Sequence, residues 1–234
     1  MNDPTLMAPD ASWTAIFTAG VVGAELIGPG DPASLTPAEA DCGRDMSTLR
    51  LREFAAGRAC ARRVLAEFGI AGFSLVPAAD RVPVWPAGFT GSITHTTGYC
   101  AAMAAPKQHC RSVGLDAELI ADVAEDLWPT IANESELSQL RALGATSSQR
   151  LAALIYSAKE SFYKCQYTVT GQWLDFHDVG VTTNLHGTEP KFQVCTLRPV
   201  AAWRGKTLSL SGRFRFDSHL VRTCVLWPAA PDSS

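Results

Sequence analysis

Three acids and two lysines are the residues in this chain best placed to do chemistry. Asp116 and Glu118 lie in VGLDAELI; Lys159, Glu160 and Lys164 lie in SAKESFYK, Ser157 to Lys164. Two residues apart on a strand, Asp116 and Glu118 project from one face, with Val113, Leu115 and Ala117 on the other. Side-by-side carboxylates repel unless something positive sits between them. A hard divalent cation such as magnesium meets that need, because it takes one or two protein carboxylates plus phosphate oxygens and water. Taken alone, the pair also fits an exposed strand face with solvated acids. Glu160 and Lys164, four apart on a helix, are neighbours with Lys159 flanking, and taken alone they read as a surface ion pair.

Two further segments carry donors suited to phosphate. GSITH, Gly91 to His95, brings backbone N–H groups, the Ser92 and Thr94 hydroxyls and the His95 imidazole into one short strand. EFAAGRACARRVL places Arg58 and Arg62 one helical turn apart, and an arginine pair suits a phosphomonoester through bidentate hydrogen bonds. Each also has a plainer reading, a core strand with a satisfied histidine and a solvated helix face.

These residues need elements to hold them. Leu151, Leu154, Ile155, Ala158, Phe162 and Cys165 recur at helical spacing, predicting a helix over 149–167 with one apolar face. A second long helix is predicted over 48–68, ended by Gly69, and a short one opens at Thr36-Pro37. Strands are expected within 13–27, at 73–76, 91–95, 99–104 and 112–120, and again in VGVTTN, KFQVC, TLSLSGRFRF and LVRTCVLW, with polar helical stretches over 122–145. Each half therefore runs strand, helices, strands. VVGAELI echoes VGLDAELI, and THTTGYCAAM echoes SHLVRTCVLW, with a His five residues before a Cys in both. A duplication would give two similar α/β lobes with a cleft between them, a common place for a ligand.

The totals narrow the class. With 234 residues and 47% hydrophobic content the chain can bury a sizeable core, and a formal charge of −3 gives no reason to expect nucleic acid or an anionic membrane as partner. Seven cysteines, an odd number without a CxxC pair, suit reduced buried thiols in a cytoplasmic protein. No signal peptide or membrane-spanning run is expected.

In order and in kind, EFAAGRACAR, GSITH, VGLDAE and SAKESFYK resemble the motifs of the phosphopantetheinyl transferases of the enterobactin-synthase and surfactin type, over about residues 50 to 180. The resemblance implies an α+β fold of two similar lobes related by a pseudo-twofold, 1–110 and 111–234, with the active site in the cleft. It implies transfer of the 4′-phosphopantetheine arm of coenzyme A to a serine of an acyl- or peptidyl-carrier protein, by a monomer. Asp116, Glu118 and Glu160 match the acids that bind magnesium (or manganese), and Glu160 the residue that takes the serine proton. Lys164 matches a lysine near the diphosphate, with Lys159 the adjacent family lysine. His95 matches a histidine on the coenzyme A phosphates, Arg58 an arginine at the 3′-phosphate, and Arg52 and Arg81 further basic positions. The alternatives are a metal-dependent phosphohydrolase using the same acids, or a module that binds coenzyme A or a carrier without catalysis.

Overall fold

The structure, a computed structural model, describes residues 5–7, 16–17, 20–183, 190–203 and 205–229, so part of the expected 13–27 segment and Asn184 of VGVTTN lie outside the described residues. It is a mixed α+β protein whose chain divides into two units, Met1–Val113 with Ala229–Ser234, and Gly114–Pro228. Among the described residues no helix is long and apolar enough to cross a membrane.

The first unit holds β1 (Thr5–Met7), β2 (Val22–Ile27), β3 (Phe89–Thr96) and β4 (Tyr99–Pro106) in an antiparallel sheet ordered β1-β2-β4-β3. Helix α1 (Pro37–Cys42) starts with a capping box between Thr36 and Glu39, and α2 (Thr48–Glu67) is capped by the Ser47 side chain. The small residues Ala56, Cys60 and Ala61, with Val64, let α2 lie close on Ala24, Leu26, Cys100, Ala102 and Ala104 of the sheet.

Phe73–Val76, expected as a strand, is not one; next to it stands only an isolated bridge from Pro77 to Pro83, where the Val76 carbonyl accepts from the Val84 N–H at 2.9 Å. Pro77 after the segment and Pro83 across from it cannot donate to a ladder, and side chains take over the backbone of Leu75 instead. Its N–H donates to Glu39 Oε1 at 2.9 Å and its carbonyl accepts from Arg58 Nε at 2.9 Å.

The second unit is built on the sheet β5-β9-β8-β7-β6, with β5 Cys110–Leu119, β6 Val179–Thr183, β7 Lys191–Thr196, β8 Ser209–Phe216 and β9 Leu220–Pro228. The 122–145 stretch resolves into two 3-10 turns followed by α3 (Trp128–Ile131) and α4 (Glu134–Ala142). The long helix α5 spans Ala145–Thr170, beyond both predicted ends, and stops at Gly171, whose φ of 63° is left-handed. Alternate residues of the strands, including Val194, Phe214 and Val225, bury against Leu154, Ile155, Ala158 and Phe162 of α5. A hydroxyl ladder fixes the register: Thr223 Oγ1 lies 2.9 Å from Ser157 Oγ and 3.0 Å from Ser161 Oγ.

The two units share a plan. In each, a strand (β2, β5) is followed by helices and a hairpin whose later strand (β4, β9) lies next to it in the sheet and beneath the long helix. The His-to-Cys echo is not a structural equivalence, however. Cys100 packs with the α2 core, whereas Cys224 alternates with Thr223 and Val225, which face α5, and so points to the opposite face.

Candidate active site

In the second unit, the side chains of β5 and α5 meet because Gly114 lets strand and helix touch. A Cβ there would stand 1.8 Å from the Ser161 carbonyl oxygen and 2.8 Å from the Cys165 backbone N. That approach places Lys164 Nζ 2.6 Å from Asp116 Oδ1 and 3.2 Å from the Leu115 carbonyl oxygen. From Ser112 to Ala117 β5 is buried on both faces, so Asp116 is 2% exposed rather than solvated, while Glu118, Glu160 and Lys164 are half-buried.

The electrostatics show that these groups act on one another. Burial raises Glu118 to about 8, with Asp116, Glu160 and Asp122 adding to the rise and Lys164 opposing it. Glu160 is likewise raised by burial and by Asp116, against Lys164. For Lys164, burial alone would lower the ammonium, but Asp116 and Glu160 carry it above the usual lysine value. Tyr156, one helical turn before Glu160, is pushed up by burial and then by Glu160, Glu118 and Asp116, so its phenol looks onto the same acids. Sequence reading passed over Tyr156; its i,i+4 spacing to Glu160 was the available signal.

Among the described residues, no three His, Cys, Asp or Glu side chains are already arranged as a metal cage. Asp116 Oδ1 is held by Lys164 in this conformation. The donor chemistry nonetheless fits a hard divalent ion: three carboxylates, two of them raised in part by repulsion from a third, with one lysine against them.

Lys159 differs from expectation. It is 2% exposed, and its ammonium donates to Glu136 Oε2 at 2.7 Å, to the Ile131 carbonyl at 2.9 Å and to the Phe176 carbonyl at 2.9 Å. All three N–H donors are spent inside the protein, so Lys159 has none left for a coenzyme A phosphate. One residue's rotation around α5 separates it from the polar edge carrying Tyr156, Glu160 and Lys164.

Beside Glu160 lies a cavity of about 250 Å³ whose walls are mainly apolar: Phe162, Tyr163, Trp173, Leu174, Phe176 and Val179. Tyr163 stacks on Tyr167 at 5.3 Å and meets Trp173 edge-on at 5.2 Å. Trp173 is 72% exposed, unusual for so large an apolar ring. The aromatic residues following the KES motif were its sequence signature.

The first unit carries its own polar cluster. Arg50 Nη1 donates to His95 Nε2 and lies 3.1 Å from Glu53 Oε2, which in turn stands 3.9 Å from His95 Nδ1. Arg50 and Glu53 were not singled out from sequence, although i,i+3 spacing on α2 joins them. Arg52 shares with His95 and Glu53 the lining of a second cavity, of about 290 Å³.

The other first-unit candidates are dispersed. Arg58 is 7% exposed: its Nε holds the Leu75 carbonyl, its guanidinium lies 3.8 Å over the Phe54 ring, and burial lowers it to about 10. Arg62 ties the fully buried Glu39. The expected phosphomonoester pair of Arg58 and Arg62 is therefore engaged in holding α1, α2 and the 73–76 segment together. Strand alternation also divides GSITH. Ser92 and Thr94 are buried on one face of β3, while His95 lies on the other face with Ile93. Gly91 is needed for the Trp85 ring, 2.4 Å from where its Cβ would be. Arg81 sits in the exposed turn after Ala78, at a φ of 69°.

The comparisons agree with the motifs. Residues 38–105 match the family model of the 4′-phosphopantetheinyl transferase N-terminal domain, and residues 112–224 that of the 4′-phosphopantetheinyl transferase superfamily. The chain is 35% identical over 219 residues to 4′-phosphopantetheinyl transferase Npt of Nocardia iowensis, covering 91% of this chain and 98% of that protein. It is 36% identical over 199 residues to Svp of Streptomyces mobaraensis (84% of this chain, 80% of that one) and 30% identical over 202 residues to PptT of Mycobacterium tuberculosis (84% and 88%). The chain belongs to the 4′-phosphopantetheinyl transferase family.

Proposed function

We propose that this enzyme transfers the 4′-phosphopantetheine arm of coenzyme A to a serine hydroxyl of an acyl- or peptidyl-carrier protein. The carrying observation is the gathering of Asp116, Glu118 and Glu160 about Lys164 in the unit that matches the superfamily. The serine oxygen forms a bond to the phosphorus bearing the pantetheine, the phosphoanhydride bond to that phosphorus breaks, and 3′,5′-ADP departs with the bond's electron pair.

Glu160 receives the serine proton. Its raised affinity for protons, set by burial and by Asp116, suits a carboxylate that must act as a base. Lys164, held between Leu115 and Asp116 yet 29% exposed at its side chain, offers an N–H to the diphosphate and opposes the charge growing on the leaving group. Asp116, Glu118 and Glu160 would hold magnesium, which supplies charge neutralisation on the diphosphate.

The apolar cavity beside Glu160 receives the pantetheine arm, against Tyr163, Trp173 and Phe176. For the 3′-phosphate, the first unit offers the Arg50 guanidinium and the His95 imidazole as donors. Seven free cysteines fit a reducing cytoplasmic setting, and a net charge of −3 gives no pull toward nucleic acid or an anionic membrane surface.

The test is incubation with coenzyme A, Mg²⁺ and a panel of apo carrier proteins, read by intact mass. The carrier gains one phosphopantetheine. Diphosphate cleavage without a carrier would mark a phosphohydrolase, and coenzyme A binding without either reaction a non-catalytic module.

A further inference from the structure

The wall of the cavity beside Glu160 is a strap of irregular chain. Trp173, Leu174, Asp175 and Phe176 line it, with Val179 at the start of β6, and the only regular structure between Trp173 and β6 is a 3-10 turn at Phe176–Asp178. The strap is fastened at three points. Gln166 Nε2 holds the Gln172 carbonyl at 3.0 Å, Lys159 Nζ holds the Phe176 carbonyl at 2.9 Å, and Glu136 Oε1 accepts from the Val181 N–H at 2.8 Å.

The last two points share one ion pair. Glu136 Oε2 lies 2.7 Å from Lys159 Nζ and also accepts from the Asn133 N–H at 2.8 Å; the two side chains are 3% and 1% exposed. Such a pair is poor evidence for stability, since apolar residues of like volume commonly hold a fold as well or better. What the pair supplies is geometry. Lys159 precedes Glu160 on α5, so one buried network links the residue beside the acid to Phe176 on the cavity wall and to Val181 in β6, just past the wall's end.

Resting on the reading that this cavity takes the pantetheine arm, we infer that Glu136, outside every motif, acts with Lys159 as a positioning pair that fixes the cavity wall and so sets the affinity for the arm. Neither side chain touches the reacting atoms. The pair acts through Phe176 and the 173–179 strap.

Two ligands separate this from a general structural role: coenzyme A, which has the arm, and 3′,5′-ADP, which lacks it. The double variant Glu136→Leu/Lys159→Met removes both charges together and keeps the volume. Its dissociation constant for coenzyme A should rise roughly tenfold or more, as expected when a contact surface shifts by about an ångström. That for 3′,5′-ADP should stay within about twofold, and KM for coenzyme A should rise more than kcat falls. Glu136→Asp, retaining the charge, should fall between wild type and the double variant, and it carries the comparison if the double variant does not fold. Trp173→Ala is the control for the cavity itself. If Trp173→Ala weakens coenzyme A alone while the pair variants bind as wild type, the positioning pair is overturned and the cavity reading stands. If neither weakens coenzyme A, both are overturned. Equal loss of coenzyme A and 3′,5′-ADP in the pair variants would assign Glu136 a merely structural role and overturn the inference.

Discussion

Replacing Gly114 by alanine tests how the site is assembled. The new Cβ would lie 1.8 Å from the Ser161 carbonyl oxygen and 2.8 Å from the Cys165 backbone N, both part of the α5 backbone and unable to rotate away. Restoring an ordinary contact of about 3.5 Å requires strand and helix to part by roughly 1.7 Å. Overpacking of this kind costs about 1–3 kcal/mol, or a fall in Tm of about 4–12 °C for a unit of this size. The same movement draws Asp116 away from Lys164, now 2.6 Å apart, and shifts Glu118 relative to Glu160. Displacements near 1 Å in a catalytic arrangement can cost about 100-fold in rate. A circular dichroism melt and initial rates of carrier modification should therefore show a folded, less stable variant whose kcat/KM falls about 100-fold. An alanine variant with wild-type Tm and rate would refute the claim that this close approach assembles the site.

Three further predictions follow from single contacts. Arg50→Ala should weaken coenzyme A about tenfold without affecting 3′-dephospho-coenzyme A, whereas Arg52→Ala changes either by less than about twofold; calorimetric titration with both ligands decides it, because a lost charge-assisted bond is worth about 1.5–3 kcal/mol. Thr223→Val leaves Ser157 and Ser161 without their shared partner between α5 and β9 and should lower stability by about 1–3 kcal/mol in urea unfolding. Removing divalent ions with a chelator should stop transfer, and Mg²⁺ should restore it; chelator-insensitive transfer would contradict the role given to the three acids.

Much of this was legible in the sequence for physical reasons. The period of Leu151, Leu154, Ile155 and Phe162 predicted α5 because those residues do face the sheet. The spacing of Glu160 and Lys164 put them on one edge. What stayed hidden was which polar groups turn inward. Lys159 and Glu160 are adjacent in sequence yet serve different environments, because one step along a helix rotates the side chain by about 100°. Arg58 and Arg62 looked like a basic surface, and only the buried Glu39 and the carbonyl of Leu75 reveal why they are engaged. Phe73–Val76 had the composition of a strand, but the backbone of its Leu75 is bonded by side chains 17 and 36 residues away. Locally Glu136 reads only as the capping-box partner of Asn133; its pairing with Lys159, 23 residues away in sequence, follows no local pattern.

The central claim is that Glu160 takes the serine proton in a site where most of the contacts to coenzyme A come from other residues. Its most direct test is single-turnover modification of an apo carrier by Glu160→Gln, with coenzyme A affinity measured on the same preparation. The account predicts affinity within a few-fold of wild type and transfer reduced by about 100-fold or more, the usual worth of a general base. Transfer at the wild-type rate, or loss of rate matched by an equal loss of coenzyme A binding, would contradict it.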